Sequence, residues 1–175
     1  MHLRSLTPAL AAVAATLIAV PAASAALVIP GQSIGKVKLR QTATEVRREL
    51  GRPTKVTGQL YPGFDWHYAS RKLDIYIGNT DNATGQKSAV PYVYAIVDQN
   101  PMDHTAKGIH IGSKMRAVRH AYPKLRCEGD TDGPCLLGRI DSGGNVFNYT
   151  FFDRYAGPIV ELFEIGTDTC CYGQG

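Results

Sequence analysis

Residues 37–51 read Val-Lys-Leu-Arg-Gln-Thr-Ala-Thr-Glu-Val-Arg-Arg-Glu-Leu-Gly, and residues 109–123 read Ile-His-Ile-Gly-Ser-Lys-Met-Arg-Ala-Val-Arg-His-Ala-Tyr-Pro. Laid one on the other, their apolar positions coincide. Val37 falls on Ile109, Leu39 on Ile111, Ala43 on Met115, Val46 on Val118 and Leu50 on Tyr122. A breaker closes both, Gly51 in one and Pro123 in the other. Each stretch reads as a short alternating lead-in followed by a helix with one apolar face. The first helix has the firmer start, because Thr42-Ala43-Thr44-Glu45 matches a capping box. In the second, Ser113 is followed three residues on by Arg116, so the reciprocal carboxylate is missing.

The segment after each stretch reads as sheet. Phe64, Trp66 and Tyr68 alternate with Asp65 and His67, and Leu73, Ile75 and Ile77 alternate with Asp74 and Tyr76. Pro91 leads into Tyr92-Val93-Tyr94-Ala95-Ile96-Val97. In the second half, residues 138–140, 146–153 and 159–165 carry the same signs, with Phe147, Tyr149 and Phe151 on one side. Period two with aromatic and β-branched residues is the strand signature, and consecutive strands with short links form an antiparallel meander. The expected fold class is α+β. Two tandem units succeed one another, each a short helix packed on an antiparallel β-meander. The first covers 26–100 and the second 101–175, the latter with a cysteine-bearing loop and tail.

Residues 1–25 read as a secretory signal peptide. Leu10 to Val20 is apolar, Pro21 breaks the run, and Ala23-Ser24-Ala25 is a small-x-small cleavage site. The run is shorter than the ~20 apolar residues that span a bilayer, and nothing comparable comes after it. The expectation is a protein that is secreted or periplasmic after cleavage near Ala25, with no stable membrane insertion. Ala26 rather than Cys succeeds the cut, so no lipid anchor is expected. The formal net charge is +4 and loses one unit with Arg4 of the leader. That balance is far from a nucleic-acid footprint.

Four cysteines, at 127, 135, 170 and 171, fit disulfides in an exported chain. A local Cys127–Cys135 bridge around the turn-forming residues 128–134 is one pairing. A crossed pattern that ties this loop to Cys170 and Cys171 is another. The spacing lacks the C-x-x-C and histidine pair of a zinc site, so no metal is expected.

Catalytic chemistry has little to stand on. His67, His104, His110 and His120 read as surface residues. Ser142, His110 and Asp141 can be assembled on paper, but Asp141-Ser142-Gly143-Gly144 is turn chemistry rather than a nucleophile elbow. An exported hydrolase is therefore the minority reading, and no enzyme activity and no cofactor are expected. The aromatics carry more. Trp66, Tyr76, Tyr92 and Tyr94, with His67, fall on neighbouring strands, and a helix covers only one face of a sheet. Tyr and Trp are common interface anchors. The expected binding set is thus Trp66, His67, Tyr76, Tyr92 and Tyr94, and the expected partner is an extracellular or envelope protein. A second possibility is charge. Lys36, Lys38, Arg40, Arg47, Arg48, Arg52 and Lys55 make the first unit basic, which suits anionic envelope polymers.

The pieces Ile34-Gly35-x-Val37-x-Leu39-x-x-Thr42-x-x-Glu45-Val46 and Leu50-Gly51-x-Pro53 resemble the BamE (SmpA/OmlA) and β-lactamase-inhibitory-protein superfamily. So do Gly108-Ile109-x-Ile111-Gly112, Val118 and Tyr122-Pro123. The resemblance implies a helical unit packed on an antiparallel sheet, used twice in tandem, as in the inhibitor. It also implies a non-enzymatic binder of proteins in the bacterial envelope or outside the cell. The chain departs from the lipoprotein members in lacking a lipidated cysteine. No inhibitor contact residue maps onto it, so an inhibitory role does not transfer.

Overall fold

The structure, a computed structural model, describes residues 24–58, 63–80, 87–127, 135–140, 146–153 and 158–169. Residues 1–23, where the signal peptide is expected, and Asp141, Ser142, Cys170 and Cys171 lie outside the described residues.

The described residues open with three short strands, β1 (Leu27–Ile29), β2 (Ser33–Ile34) and β3 (Val37–Lys38), and then helix α1 (Ala43–Leu50). A meander comes next: β4 (Lys55–Gly58), β5 (Gly63–Tyr68), β6 (Leu73–Thr80) and β7 (Lys87–Asp98). After β8 (His104–Thr105) and helix α2 (Met115–Ala121) comes a second meander. Its strands are β9 (Arg126–Cys127), β10 (Cys135–Ile140), β11 (Val146–Asp153) and β12 (Phe163–Thr169).

The α+β expectation, two units with a helix over a sheet in each, is overturned. The described chain is mostly β: twelve strands form one four-stranded and one eight-stranded sheet, and the two helices have only eight and seven residues. The meanders do not stay apart. β7 pairs with β12 in an antiparallel register that sets Ile96 opposite Ile165 and Asp98 opposite Phe163, giving the order β4-β5-β6-β7-β12-β11-β10-β9. The physical reason lies at the edge. A strand as long and apolar as β7 presents a row of unpaired N–H and C=O groups, and β12 satisfies them. Two helices of two turns each are also too short to roof eight strands. The second sheet, ordered β3-β2-β1-β8, helps close the core from above.

The main core is continuous across both halves, and Leu136 and Tyr149 form a second, small cluster. Trp66, Tyr68, Leu73, Ile75, Ile77, Val93, Ile96, Phe163 and Ile165 line the near face of the large sheet. Val46 of α1, Met115 and Val118 of α2, and Val28, Ile34 and Val37 of the small sheet meet them. Val46 and Val118, matched in the sequence comparison, are both fully buried. At ~25 cal/mol per Å² of apolar surface, each contributes roughly 1.5–3 kcal/mol.

α1 starts as its sequence requires. The Thr42 side chain accepts from the Glu45 N–H, and Glu45 Oε2 accepts from the Thr42 N–H at 2.8 Å. The Thr42 N–H, together with the Thr42 hydroxyl that also donates to Glu45 Oε2 at 2.8 Å, holds the Glu45 carboxyl below its ordinary pKa. α2 begins at Lys114 with no side-chain cap. Both helix entrances are pinned alike. Arg40 N–H donates to Val93 O and Val93 N–H donates to Gln41 O, each at 2.8 Å. In the second half Gly112 N–H donates to Val160 O at 2.7 Å and Val160 N–H donates to Ser113 O at 2.8 Å. Both entrances use a left-handed residue, Arg40 at φ 66° and Gly112 at φ 90°.

Cys127 and Cys135 are disulfide-bonded, so the local pairing is the one formed between these two. They face each other across β9 and β10, and the bond closes that hairpin. No helix among the described residues is long and apolar enough to cross a membrane.

Candidate functional site

The large sheet has a near face, under the helices and small sheet, and a far face. Cross-strand register assigns side chains to each. In β6, Leu73, Ile75 and Ile77 are near and Asp74 and Tyr76 are far, because successive residues alternate. Tyr76 pairs with Ala95 and Ile77 with Val93, so the ladder skips Tyr94 at a bulge. The bulge keeps Tyr94 beside Tyr76, with ring centroids 6.2 Å apart. Tyr92, opposite Gly78, lies on the same far face. All three tyrosines are half-buried.

His67 joins them from β5, opposite Asp74 of β6. Its Nδ1 lies 2.7 Å from Asp74 Oδ1, and its Nε2 lies 3.0 Å from Thr57 Oγ1 on β4. A carboxylate accepts only, so Nδ1 carries a proton; in the neutral imidazole Nε2 then accepts the Thr57 hydroxyl hydrogen. The imidazole is held at both nitrogens across three adjacent strands. The Arg40 guanidinium reaches the Tyr92 ring, 5.9 Å from its centroid. The far face of the first meander thus gathers an ordered imidazole, a carboxylate and three phenol rings.

Trp66, expected with this set, is not on it. It stands on the near face at 4 % exposure, with the Arg47 guanidinium 4.8 Å from its ring centroid. Its parity is opposite to that of His67, and the face with the larger apolar payload turned inward. Beside it, a groove of about 290 Å³ runs between α1 and the sheet, lined by Ala43, Arg47, Val56, Phe64, Trp66 and Pro91 among others. Phe64 and Val56 are about half exposed there. Tyr68, also on the near face, has its hydroxyl pKa raised by burial, with Arg47 and Arg71 opposing.

The basic residues divide. Lys36, Lys38, Arg40 and Arg48 line an open cavity of about 680 Å³ together with Gln41, Glu45 and Glu49. Lys36 pairs with Glu49 at 3.6 Å, and Arg47 points instead at Trp66. His104, His110 and His120 are exposed. No group of three His, Cys, Asp or Glu suited to a metal ion occurs among the described residues.

The far face of the second meander is built differently. Tyr149 is buried and its ring covers Gly166, where an added Cβ would sit 2.4 Å from the ring. Its hydroxyl donates to Glu164 Oε1 at 2.9 Å. The partners of His67 escaped the sequence reading. Thr57 lies on a strand of four residues, and Asp74 reads as an ordinary solvent-facing position until the register sets it opposite His67. Against this geometry, no family model, no curated protein and no solved structure matches the chain.

Proposed function

We propose that the chain is an exported, non-enzymatic binding protein whose far sheet face, in its first half, takes a protein partner of the bacterial envelope or exterior. The observation that carries this reading is the half-exposed cluster of Tyr76, Tyr92 and Tyr94 beside an imidazole fixed at both nitrogens. Rings with few rotors and polar tips bury area at little entropic cost, and a pre-ordered imidazole loses little freedom on binding. Export is supported by the leader pattern and by the Cys127–Cys135 bond, which persists in oxidising compartments. Membership in the BamE-like superfamily belongs to the same proposal. The matched stretches and the like-pinned helix entrances support it.

One observation favours a second reading. Thr57, His67 and Asp74 stand in the hydrogen-bond order of a hydroxyl nucleophile, a base and its orienting carboxylate. An exported hydrolase would use them. A charge-driven reading, with anionic polymers at the Lys36–Lys38–Arg40–Arg48 cavity, differs in its steep salt dependence.

Affinity capture from the host's secreted and envelope fractions separates the three. The binding reading expects a protein whose capture survives moderate salt and weakens about tenfold or more in Tyr76→Ala or Tyr94→Ala. The melting temperatures of those variants should match the parent. Ester or peptide turnover abolished by His67→Ala would replace binding with hydrolysis. Capture lost between low and moderate salt, and insensitive to both tyrosines, would point to the basic cavity.

A further inference from the structure

A cleavage pattern ends at Ala25, and the atom that cleavage would set free already faces a carboxylate. The Ala26 N–H donates to Asp103 Oδ1 at 2.7 Å. Ser24 and Ala25 are exposed, while Ala26 is half-buried just before β1. Asp103 is 4 % exposed, and the fully buried Asp98 lies beside it. Asn100 bridges the two: its backbone N–H donates to Asp98 Oδ1 and its Nδ2 donates to Asp103 Oδ1, each at 2.9 Å. Neither carboxylate forms an ion pair with Lys, Arg or His among the described residues. Asp98 Oδ2 has no hydrogen-bond partner among them. Burial raises the Asp98 pKa from 3.8 to about 7, with the Asn100 N–H opposing and the Asp103 charge adding.

Two buried carboxyls with no cation are an unfavourable arrangement near neutral pH. Of the surrounding basic groups, the His104 ring is exposed and its Nδ1 sits at Met102 O. Lys107 is committed to Ala121 O and the Tyr122 ring. The Ala26 nitrogen is the group in contact that can become a cation. It is an amide in the uncut chain. When an endopeptidase selective for small residues hydrolyses the Ala25–Ala26 bond, one water is consumed. Its hydroxyl goes to the Ala25 carbonyl carbon, and its hydrogen with a solvent proton goes to Ala26 N, leaving an ammonium group.

We propose that Asp103, backed by Asp98, is the receptor for the α-ammonium group created by cleavage after Ala25, so that removing the leader completes a charge pair in the fold. The contact needs no rearrangement. Ala26 O already accepts from His104 N–H, and β1 is paired in parallel with β8, Leu27 opposite His104 and Val28 opposite Thr105. The 2.7 Å separation is already that of a charge-assisted hydrogen bond. The inference rests on the export reading for the cleavage alone and is independent of what the far face binds.

The test expresses the full chain with its leader in an exporting bacterial host and weighs the recovered protein to identify its first residue. The rate at which its α-amino group is acylated at pH 7 is then compared with that of a peptide beginning Ala-Leu-Val. The proposal expects Ala26 as the first residue. It also expects acylation at least about tenfold slower than in the peptide, equivalent to raising an ordinary α-amino pKa of ~7.7–8.0 by one unit. The acetylated protein should melt at lower temperature. In Asp103→Asn the amine should react at the peptide rate, and acetylation should leave the melting temperature unchanged. If that variant does not fold, the parent's acylation rate still decides. A parent amine that reacts as fast as the peptide's, or acetylation that leaves the parent's melting unchanged, overturns the proposal while the export reading stands. A first residue other than Ala26 overturns the proposal, and recovery of the uncut chain alone overturns the export reading as well.

Discussion

The two meanders share an apolar plan and the backbone pinning of their helices, and differ in their polar side chains. α1 and α2 each bury one valine completely, Val46 and Val118, and each is entered through a left-handed residue pinned by two backbone hydrogen bonds. Yet α1 has a reciprocal side-chain cap and α2 has none. Arg40 occupies the left-handed position in the first half, where the second uses Gly112. An arginine there carries a steric cost of about 1–2 kcal/mol that glycine avoids. The far faces diverge most. In the second half Tyr149 is buried over Gly166 and spends its hydroxyl on Glu164. In the first, Tyr76, Tyr92 and Tyr94 remain half-buried around the Thr57–His67–Asp74 chain. The lesson is that apolar periodicity specifies the shared scaffold, while the polar positions decide how each far face is finished, by a buried Tyr149–Glu164 pair in one half and by half-buried tyrosines around an ordered imidazole in the other.

The largest expected effect breaks this comparison in the second half. Gly166→Ala places a Cβ 2.4 Å from the Tyr149 ring, which cannot yield without leaving Glu164. It should destabilise by about 1–3 kcal/mol in denaturant titration. Gly58→Ala in β4 of the first half, with nothing within 4 Å of the added atom, should change stability by less than about 0.5 kcal/mol. Equal losses would mean that the second far face is not closed as described.

The helix starts come next. Thr42→Ala removes the hydroxyl half of the α1 box, leaving the backbone N–H bond to Glu45, and should cost about 1 kcal/mol. Lys114→Ser should give α2 the cap it lacks and raise stability by about 0.5–1 kcal/mol. If the two substitutions shift the denaturation midpoint in the same direction, the contrast between the helix entrances is wrong.

The last effect is one of pH. Asp98, raised to about 7 in the fold from an ordinary 3.8, favours the native state while protonated. Its contribution is complete below about pH 4 and fades as pH rises through 7. In protein with Ala26 still in amide linkage, melting temperature should therefore fall between pH 5 and 8, and Asp98→Asn should flatten that slope. A parent slope of the opposite sign, traced to Asp98, would contradict the buried carboxyl pair.

Much of the scaffold was legible in the sequence. The Thr42–Glu45 box, the two apolar helix faces and the alternation from Phe64 to Ile77 are local signals, and local signals survive folding. Three things were not legible. The β7–β12 junction and the parallel β1–β8 pairing join distant segments, and no short-range pattern specifies which distant edge satisfies which. The bulge at Tyr94 shifts the alternation by one residue, so counting along β7 alone misassigns a face. The relay through His67 needs Thr57 and Asp74 from two other strands, set by register rather than by spacing. Trp66 was misplaced for a simpler reason. Alternation separates two faces without saying which is inside, and Trp66 belongs with Tyr68 and Ile75 in the core.

The most direct test of the binding account places a photo-crosslinking aromatic residue at Tyr94 in one protein and at Phe151 in another. Both positions lie on the far face, in opposite halves of the same sheet. Irradiation in the presence of the native envelope and secreted proteins should yield a discrete covalent adduct from position 94 and none from position 151. Adducts of equal yield from both positions, or none from position 94 with the fold intact, would contradict the claim that the first half carries the recognition surface.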